Sequence, residues 1–116
     1  MRQEPWSAVP DALLVERMVL LRDEEAAADL FERHGLRLYA IAYGLLFEAF
    51  EAQDAVACAF RDARDAVPAF DPSCQSVASW LSALTRRRAH QLLAERSLRA
   101  RVVDPEMLAQ LEEAVT

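Results

Sequence analysis

Residues 23–47 read DEEAAADLFERHGLRLYAIAYGLLF, and the period of their apolar positions decides the fold. Asp23 is a good helix N-cap, and Glu24 and Glu25 fall where the helix dipole favours acids. Behind them Ala27, Leu30, Phe31, Leu38, Ile41, Ala42 and Leu45 keep to one helical phase. That pattern marks one buried helical face, so Leu30, Phe31, Leu38 and Ile41 are expected in a core. Gly35, beside His34, offers a break, but the stripe keeps its phase across it. One continuous helix running to about Phe47 is therefore expected.

Working outward toward the start, Asp11 is expected to cap a first helix over 12 to about 22, with Leu14, Met18 and Leu21 on one face. Residues 1–10, with Pro5 and Pro10, read as a flexible leader. In the other direction a short connection near 48–51 precedes a third helix. Its apolar face carries Ala52, Ala55, Val56, Ala59, Phe60, Ala63 and Val67, and Pro68 is expected to end it. Residues 70–75 form a loop, and Ser76 is placed to cap a fourth helix running to about residue 100 through Trp80, Leu81, Leu84, Leu92, Leu93 and Leu98. The sequence Asp104-Pro105-Glu106 restarts a short acidic helix with Met107, Leu108, Leu111 and Val115 on its apolar side. No period-two alternation and no internal repeat occurs. The expected fold class is all-α, a compact bundle of about four helices plus a short C-terminal helix. The expected divisions are a leader at 1–10, a helical domain at 11–101 and an acidic tail at 102–116.

The chain has 116 residues, a size suited to one domain with one core. Alanine is abundant and only two glycines occur, a balance that favours long helices. The net charge of −6 is unevenly spread. Residues 1–54 hold 11 acids and 5 Arg, whereas 72–101 hold one acid, Glu95, and six Arg. An acidic chain thus carries one basic segment, in which Arg86, Arg87 and Arg88 follow a polar loop. A basic helix starting at such a loop can hold a nucleic-acid backbone, with Arg96, Arg99 and Arg101 extending the strip. The competing reading is a solvated face with snorkelling stems, in which at least one of the three arginines points near the apolar stripe.

Other chemistry finds little support. Cys58 and Cys74 are too few for a disulfide framework or a zinc site, and neither has a partner nearby in sequence. His34 reads as structural, and with His90 far away no metal ligand set emerges. No nucleophile with a base and no phosphate-cradling glycine loop occurs, so neither catalysis nor a cofactor is expected. No apolar run approaches the roughly 20 residues of a membrane span, and residues 1–10 lack a signal-peptide pattern, so a cytoplasmic protein is expected. Trp80 and Phe60 sit in apolar stripes and are expected to pack in the core rather than touch a ligand. Asp54, Arg61, Asp62 and Arg64 stand at spacings that simple pairing along one helix would explain.

The order of features resembles a known family. Asp23-Glu24-Glu25-Ala26 leads to Leu30-Phe31-Glu32-Arg33-His34-Gly35 and Arg37-Leu38-Tyr39. Ala52-Gln53-Asp54-Ala55-Val56 and Phe60 follow, then Phe70-Asp71-Pro72, Ser76, Trp80-Leu81 and the arginine-rich helix. Together these resemble region two of the extracytoplasmic-function sigma factors of bacterial RNA polymerase, over about residues 11–99. The resemblance implies two surfaces. The helix at 52–67, with Asp54, Ala57, Arg61, Asp62 and Arg64, would dock on the clamp coiled coil of the polymerase core. The 70–76 loop and the next helix, with Phe70, Asp71, Ser73, Gln75, Arg86, Arg87, Arg88 and Gln91, would capture the single-stranded promoter −10 element. That second task needs a pocket for an unstacked base and Arg along the phosphates.

This sequence also departs from the family pattern. Members usually carry Gln at Ala57, an acid at Cys58, Arg at Asp62 and an aromatic at Arg64. They usually carry Asn at Arg87, Asp at Gln91 and an Arg pair at Ala94-Glu95. Only fifteen residues follow Arg101, too few for the helix-turn-helix that reads the upstream promoter, so that domain is expected to be absent from this sequence. Two functions follow as expectations. One is a sigma-like subunit with a partner chain supplying the helix-turn-helix. The other is a sigma mimic that binds an anti-sigma factor or another regulatory protein without DNA. A second copy of the chain, paired through the acidic tail, is a further candidate partner.

Overall fold

A computed structural model describes residues 9–65, 69–102 and 105–115, and all regular structure among them is α-helical. The helices are α1 (Asp11–Leu20), α2 (Glu24–Leu46), α3 (Ala49–Arg64), α4 (Val77–Val102) and α5 (Pro105–Val115). The first four pack together, and α2, α3 and α4 make the most extensive mutual contacts. The all-α bundle read from the sequence is the fold. Of the expected leader, only residues 9 and 10 fall among the described residues.

Asp23 caps α2 as expected. Its Oδ1 accepts from the Glu25 amide at 2.9 Å and the Ala26 amide at 3.3 Å. The helix then runs unbroken through Gly35 for 23 residues. Its buried face is Ala26, Ala27, Leu30, His34, Gly35, Leu38, Ala42 and Leu46. Two positions expected in the core lie off that line. Phe31 is 54% exposed and makes an edge contact with the core residue Phe60, ring centroids 5.4 Å apart. Ile41 is half-buried. Both stand about 100° around the helix from a central position, at the margins of the stripe.

Asp11 does not cap α1. Pro10 takes the cap position, and Asp11 is the first helical residue. Its carboxylate instead ties α1 to α2, accepting from Arg33 at 2.7 Å and meeting His34 Nε2 at 2.8 Å. In the Arg33 bond both partners carry charge, whereas in a cap bond only the carboxylate does. α1 ends two residues earlier than expected, because Arg22 turns into the left-handed region (φ 53°). Leu21 is consequently exposed, and the buried face of α1 is Leu14, Val15 and Met18.

The expected connection at 48–51 contracts to two residues. Phe47 adopts the left-handed region at the end of α2, and the Glu48 carboxylate accepts from the Phe50 amide at 2.6 Å to cap α3. The buried face of α3 is mostly alanine: Ala52, Ala55, Ala59 and Ala63, with Val56 and Phe60. Small residues let helix axes approach closely, so α3 packs on both α2 and α4. Val67 and Pro68, expected to finish this helix, lie outside the described residues.

Ser76 caps α4, accepting from the Ser79 amide at 3.1 Å. Trp80, Leu81, Leu84, Ala89 and Leu92 are the buried apolar residues that α4 adds beyond its first turn. Thr85 is fully buried, and its hydroxyl donates to the Leu81 carbonyl at 2.9 Å. That bond removes the cost of a buried, unsatisfied hydroxyl. Trp80 and Phe60 are core residues, as expected.

Candidate functional site

The loop between α3 and α4 is organised by one carboxylate. Asp71 Oδ1 accepts from the Ser73 amide at 3.0 Å and the Ser73 hydroxyl at 2.7 Å, and Cys74 Sγ donates to Oδ2 at 3.2 Å. The Ser73 and Cys74 bonds hold the Asp71 carboxyl below its ordinary pKa, the Ser73 hydroxyl contributing most. The amides of Cys74 and Gln75 close a turn onto the Asp71 carbonyl. Behind the turn Phe70 is half-buried, its ring centroid 5.2 Å from that of Trp80. The polar tip is therefore fastened to the core at its base. Of the loop residues expected to touch nucleic acid, Asp71 and Ser73 are exposed, while Phe70 and Gln75 are half-buried.

Beside this loop lies an apolar cavity of about 570 Å³. Its walls include Leu13, Val19 and Leu20 from α1 and Phe70 and Pro72 from the loop. Phe70, expected to meet nucleic acid, is part of this wall, whereas the α1 side was not expected to form a site. The available signal was the second apolar face of α1, at Leu13 and Leu20, which the face through Leu14 and Met18 leaves over.

The arginine triplet divides three ways. Arg86 is exposed and makes no ion pair among the described residues. Arg87 is bound to Asp62 at 3.0 Å. Arg88 lies against the bundle and gives Asp54 Oδ2 two bonds, at 3.0 Å from Nη2 and 3.2 Å from Nε. Its other neighbours are Gln91 at 3.5 Å and Glu95 at 3.8 Å. Burial alone would lower the Arg88 pKa, but the hydrogen bond and charge of Asp54 outweigh it and raise the value.

Asp54 and Asp62 thus reach across to α4 rather than pairing with Arg61 and Arg64 along their own helix. Farther along, Arg96 binds Glu51 and the Leu46 carbonyl. The partners run in opposite order on the two helices, so α3 and α4 are antiparallel, and three arginines of one meet three acids of the other. Ala57, Arg61 and Arg64 remain exposed on α3. The structure therefore joins the two expected surfaces. Four of their residues, Asp54, Asp62, Arg87 and Arg88, form one interhelical ion-pair ladder.

Among the described residues no group of three or more His, Cys, Asp or Glu side chains gathers to hold a metal. Among them, too, no helix is long and apolar enough to cross a membrane.

The family model for sigma-70 region 2 matches residues 30–99, from the middle of α2 to the far end of α4. The chain belongs to the sigma-70 region 2 family. That family is a non-enzymatic transcription initiation factor domain that binds the RNA polymerase core. No curated protein and no solved structure matches the chain. The matched region holds the α3 face, the Asp71 loop and the arginine triplet, and omits α1 and α5. Within this sigma region 2 domain the α3–α4 ladder lies between the two parts that the resemblance had assigned to separate tasks.

Proposed function

We propose that this domain acts as region two of an extracytoplasmic-function-type sigma subunit. In this reading α3 docks on the clamp coiled coil of the polymerase core through Asp54, Ala57, Arg61, Asp62 and Arg64. The Asp71 loop and the first turns of α4 then hold the non-template strand of the −10 element. Phe70, Asp71, Ser73 and Gln75 receive an unstacked base, and Arg86, Arg87, Arg88 and Gln91 follow the phosphates. Upstream promoter reading comes from a helix-turn-helix outside these 116 residues. The observation that carries this reading is the family match across residues 30–99, which takes in both surfaces. Its test is co-elution of the chain with purified core polymerase, followed by binding of a single-stranded −10 oligonucleotide. Arg86→Ala with Arg87→Ala should weaken the oligonucleotide complex and flatten its salt dependence. Unchanged DNA binding by that variant removes the DNA role.

A second reading is favoured by the ladder itself. Arg87 and Arg88 are already paired with Asp62 and Asp54, and the net charge of −6 repels DNA at long range. A sigma mimic that engages an anti-sigma factor or another regulator needs the shape but not free arginines. It predicts a tight protein complex that the same double substitution leaves intact, with neither polymerase nor DNA bound.

A further inference from the structure

Helix α2 is apolar on two sides. Its inner face, with Leu30, Leu38 and Ala42, is buried in the bundle. On the far side Leu36, Ala40, Tyr43 and Phe47 follow at steps of four, three and four residues, within about 60° of one another around the helix. Leu36 is 83% exposed, Phe47 75% and Tyr43 42%, and Ala40 is exposed between them. A helix face turned to water is ordinarily polar, and this one carries two aromatic rings. Phe50, 80% exposed at the start of α3, stands at the same corner of the bundle. The four large side chains together expose roughly 500 Å² of apolar surface, the size of patch that marks an interaction site.

The ridge is held in place before any partner arrives. Tyr39 stacks on Tyr43 with ring centroids 6.0 Å apart, and Tyr43 meets Phe47 edge-on at 6.2 Å. Side chains fixed in this way lose little freedom on association. Phe47 stands in the left-handed region (φ 53°, ψ 31°), which glycine takes freely and a residue with a Cβ does not. The chain therefore accepts backbone strain at a residue whose ring lies mostly in water. Strain kept at an exposed aromatic points to a contact outside the monomer.

Alternating steps of four and three are those of a helix seam that packs on another helix. We propose that the other helix is α2 of a second copy of this chain, lying antiparallel about a two-fold axis that passes between Ala40 and Tyr43. In that register Leu36 of one copy packs on Phe47 of the other at both ends of the seam. At the centre Ala40 leaves room for the Tyr43 ring of the other copy, so a small residue faces a large one on each side of the axis. Charge agrees with this pairing. α2 has no basic residue in its last turn, and the exposed Glu48 follows it. Arg37 is exposed and makes no ion pair among the described residues. The antiparallel register sets Arg37 of each copy beside the last turn of the other copy's α2, where the helix dipole and Glu48 favour a cation. A parallel pair would leave both ends uncompensated. One two-fold operation covers both ridges at once, as a self-complementary interface requires. The seam runs about 16 Å from Leu36 to Phe47, and covering the patch in both copies buries on the order of 1,000 Å², where specific interfaces begin.

The test is the molar mass of the whole chain by sedimentation velocity and light scattering over about a hundredfold range of concentration. The mass should climb from 13.0 kDa toward twice that value as concentration rises. Phe47→Gly should weaken the dimer by about tenfold or more. The same variant should keep or raise the melting temperature of the monomer, because it removes the ring and the strain together. A variant that lost association by misfolding would melt lower. Ala40→Glu and Ala40→Arg each set like charges across the axis and should each weaken the dimer by about tenfold. Glu and Arg both suit an exposed helical position, so the bundle is kept. Mixing these two variants should restore a heterodimer of near native affinity. A constant mass of 13.0 kDa at every concentration overturns the proposal, and so does a mixture that stays monomeric. A dimer that survives both Phe47→Gly and Ala40→Glu overturns it too, since another surface then makes the contact. So does a monomer that binds core polymerase through Phe47. The mass measurement needs neither polymerase nor DNA, so its outcome is independent of the sigma reading.

Discussion

Removing Asp54 and Asp62 together should make the protein less stable and a better binder of single-stranded DNA. The double variant Asp54→Ala, Asp62→Ala releases Arg87 and Arg88 from their bonds across to α3. The Asp54–Arg88 contact is partly buried and has two hydrogen bonds, so its loss costs about 1 kcal/mol. The Asp62–Arg87 contact is well exposed, and solvent screening reduces it to about 0.5 kcal/mol or less. Together they predict a melting temperature lower by roughly 5 °C for a domain of this size. The binding change has the opposite sign. Two more guanidinium groups become available to phosphates, which should steepen the logarithmic salt slope by about 1.4 on a single strand. Two nearby repulsive charges also disappear. Anisotropy of a labelled −10 oligonucleotide over a salt series, beside thermal melting by circular dichroism, measures both quantities. If the variant stays folded and its salt slope does not change, Arg87 and Arg88 do not follow the phosphates, and the α4 strip is a structural face. Adding Arg87→Ala and Arg88→Ala to the same variant should cancel any gain.

Trp80→Ala should destabilise the fold by about 3–5 kcal/mol, because a side chain 1% exposed leaves a cavity under Phe70 that the helices cannot close; urea denaturation followed by circular dichroism checks it. Asp11 gives a stability that depends on pH. Burial raises its pKa, but the bonds from Arg33 and His34 outweigh this and leave it lowered, so the unfolded chain binds the proton more readily. Its contribution is therefore complete above the unfolded value of about 4 and fades as pH falls through the lower folded value. Stability measured against pH should lose part of its acid-side slope in Asp11→Asn. Gly44→Ala should stabilise α2 by about 0.5–1 kcal/mol, since an added Cβ meets nothing within 4 Å. Gly35→Ala should gain much less, because its Cβ would lie 3.2 Å from the Phe31 ring. Paired melting curves of the two glycine variants test that difference.

The sequence by itself determined the helices, the unbroken run of α2, the Asp23 and Ser76 caps, and most of the core. These features depend on local periodicity and on hydrogen bonds between residues two or three apart, which a linear reading contains. It also carried the family resemblance, because that rests on residue types in order. Three things were decided only by tertiary structure. Asp11 left the cap position because Arg33 and His34, 22 and 23 residues away, stand beside it in the fold. Phe31 fell outside the core because a stripe has margins, and only the placing of α3 fixes which margin is covered. The ladder of Asp54 and Asp62 with Arg88 and Arg87 depends on α3 and α4 lying antiparallel at close range. On their own helix Arg61 and Arg64 stand one and two residues from Asp62, and Arg61 seven from Asp54, so neither acid has an arginine at the three- or four-residue spacing that pairs along a helix. The partners they took were 25 and 34 residues distant: the partly desolvated space between the packed helices strengthens the Asp54–Arg88 pair, while the exposed Asp62–Arg87 pair follows from the two helices lying side by side.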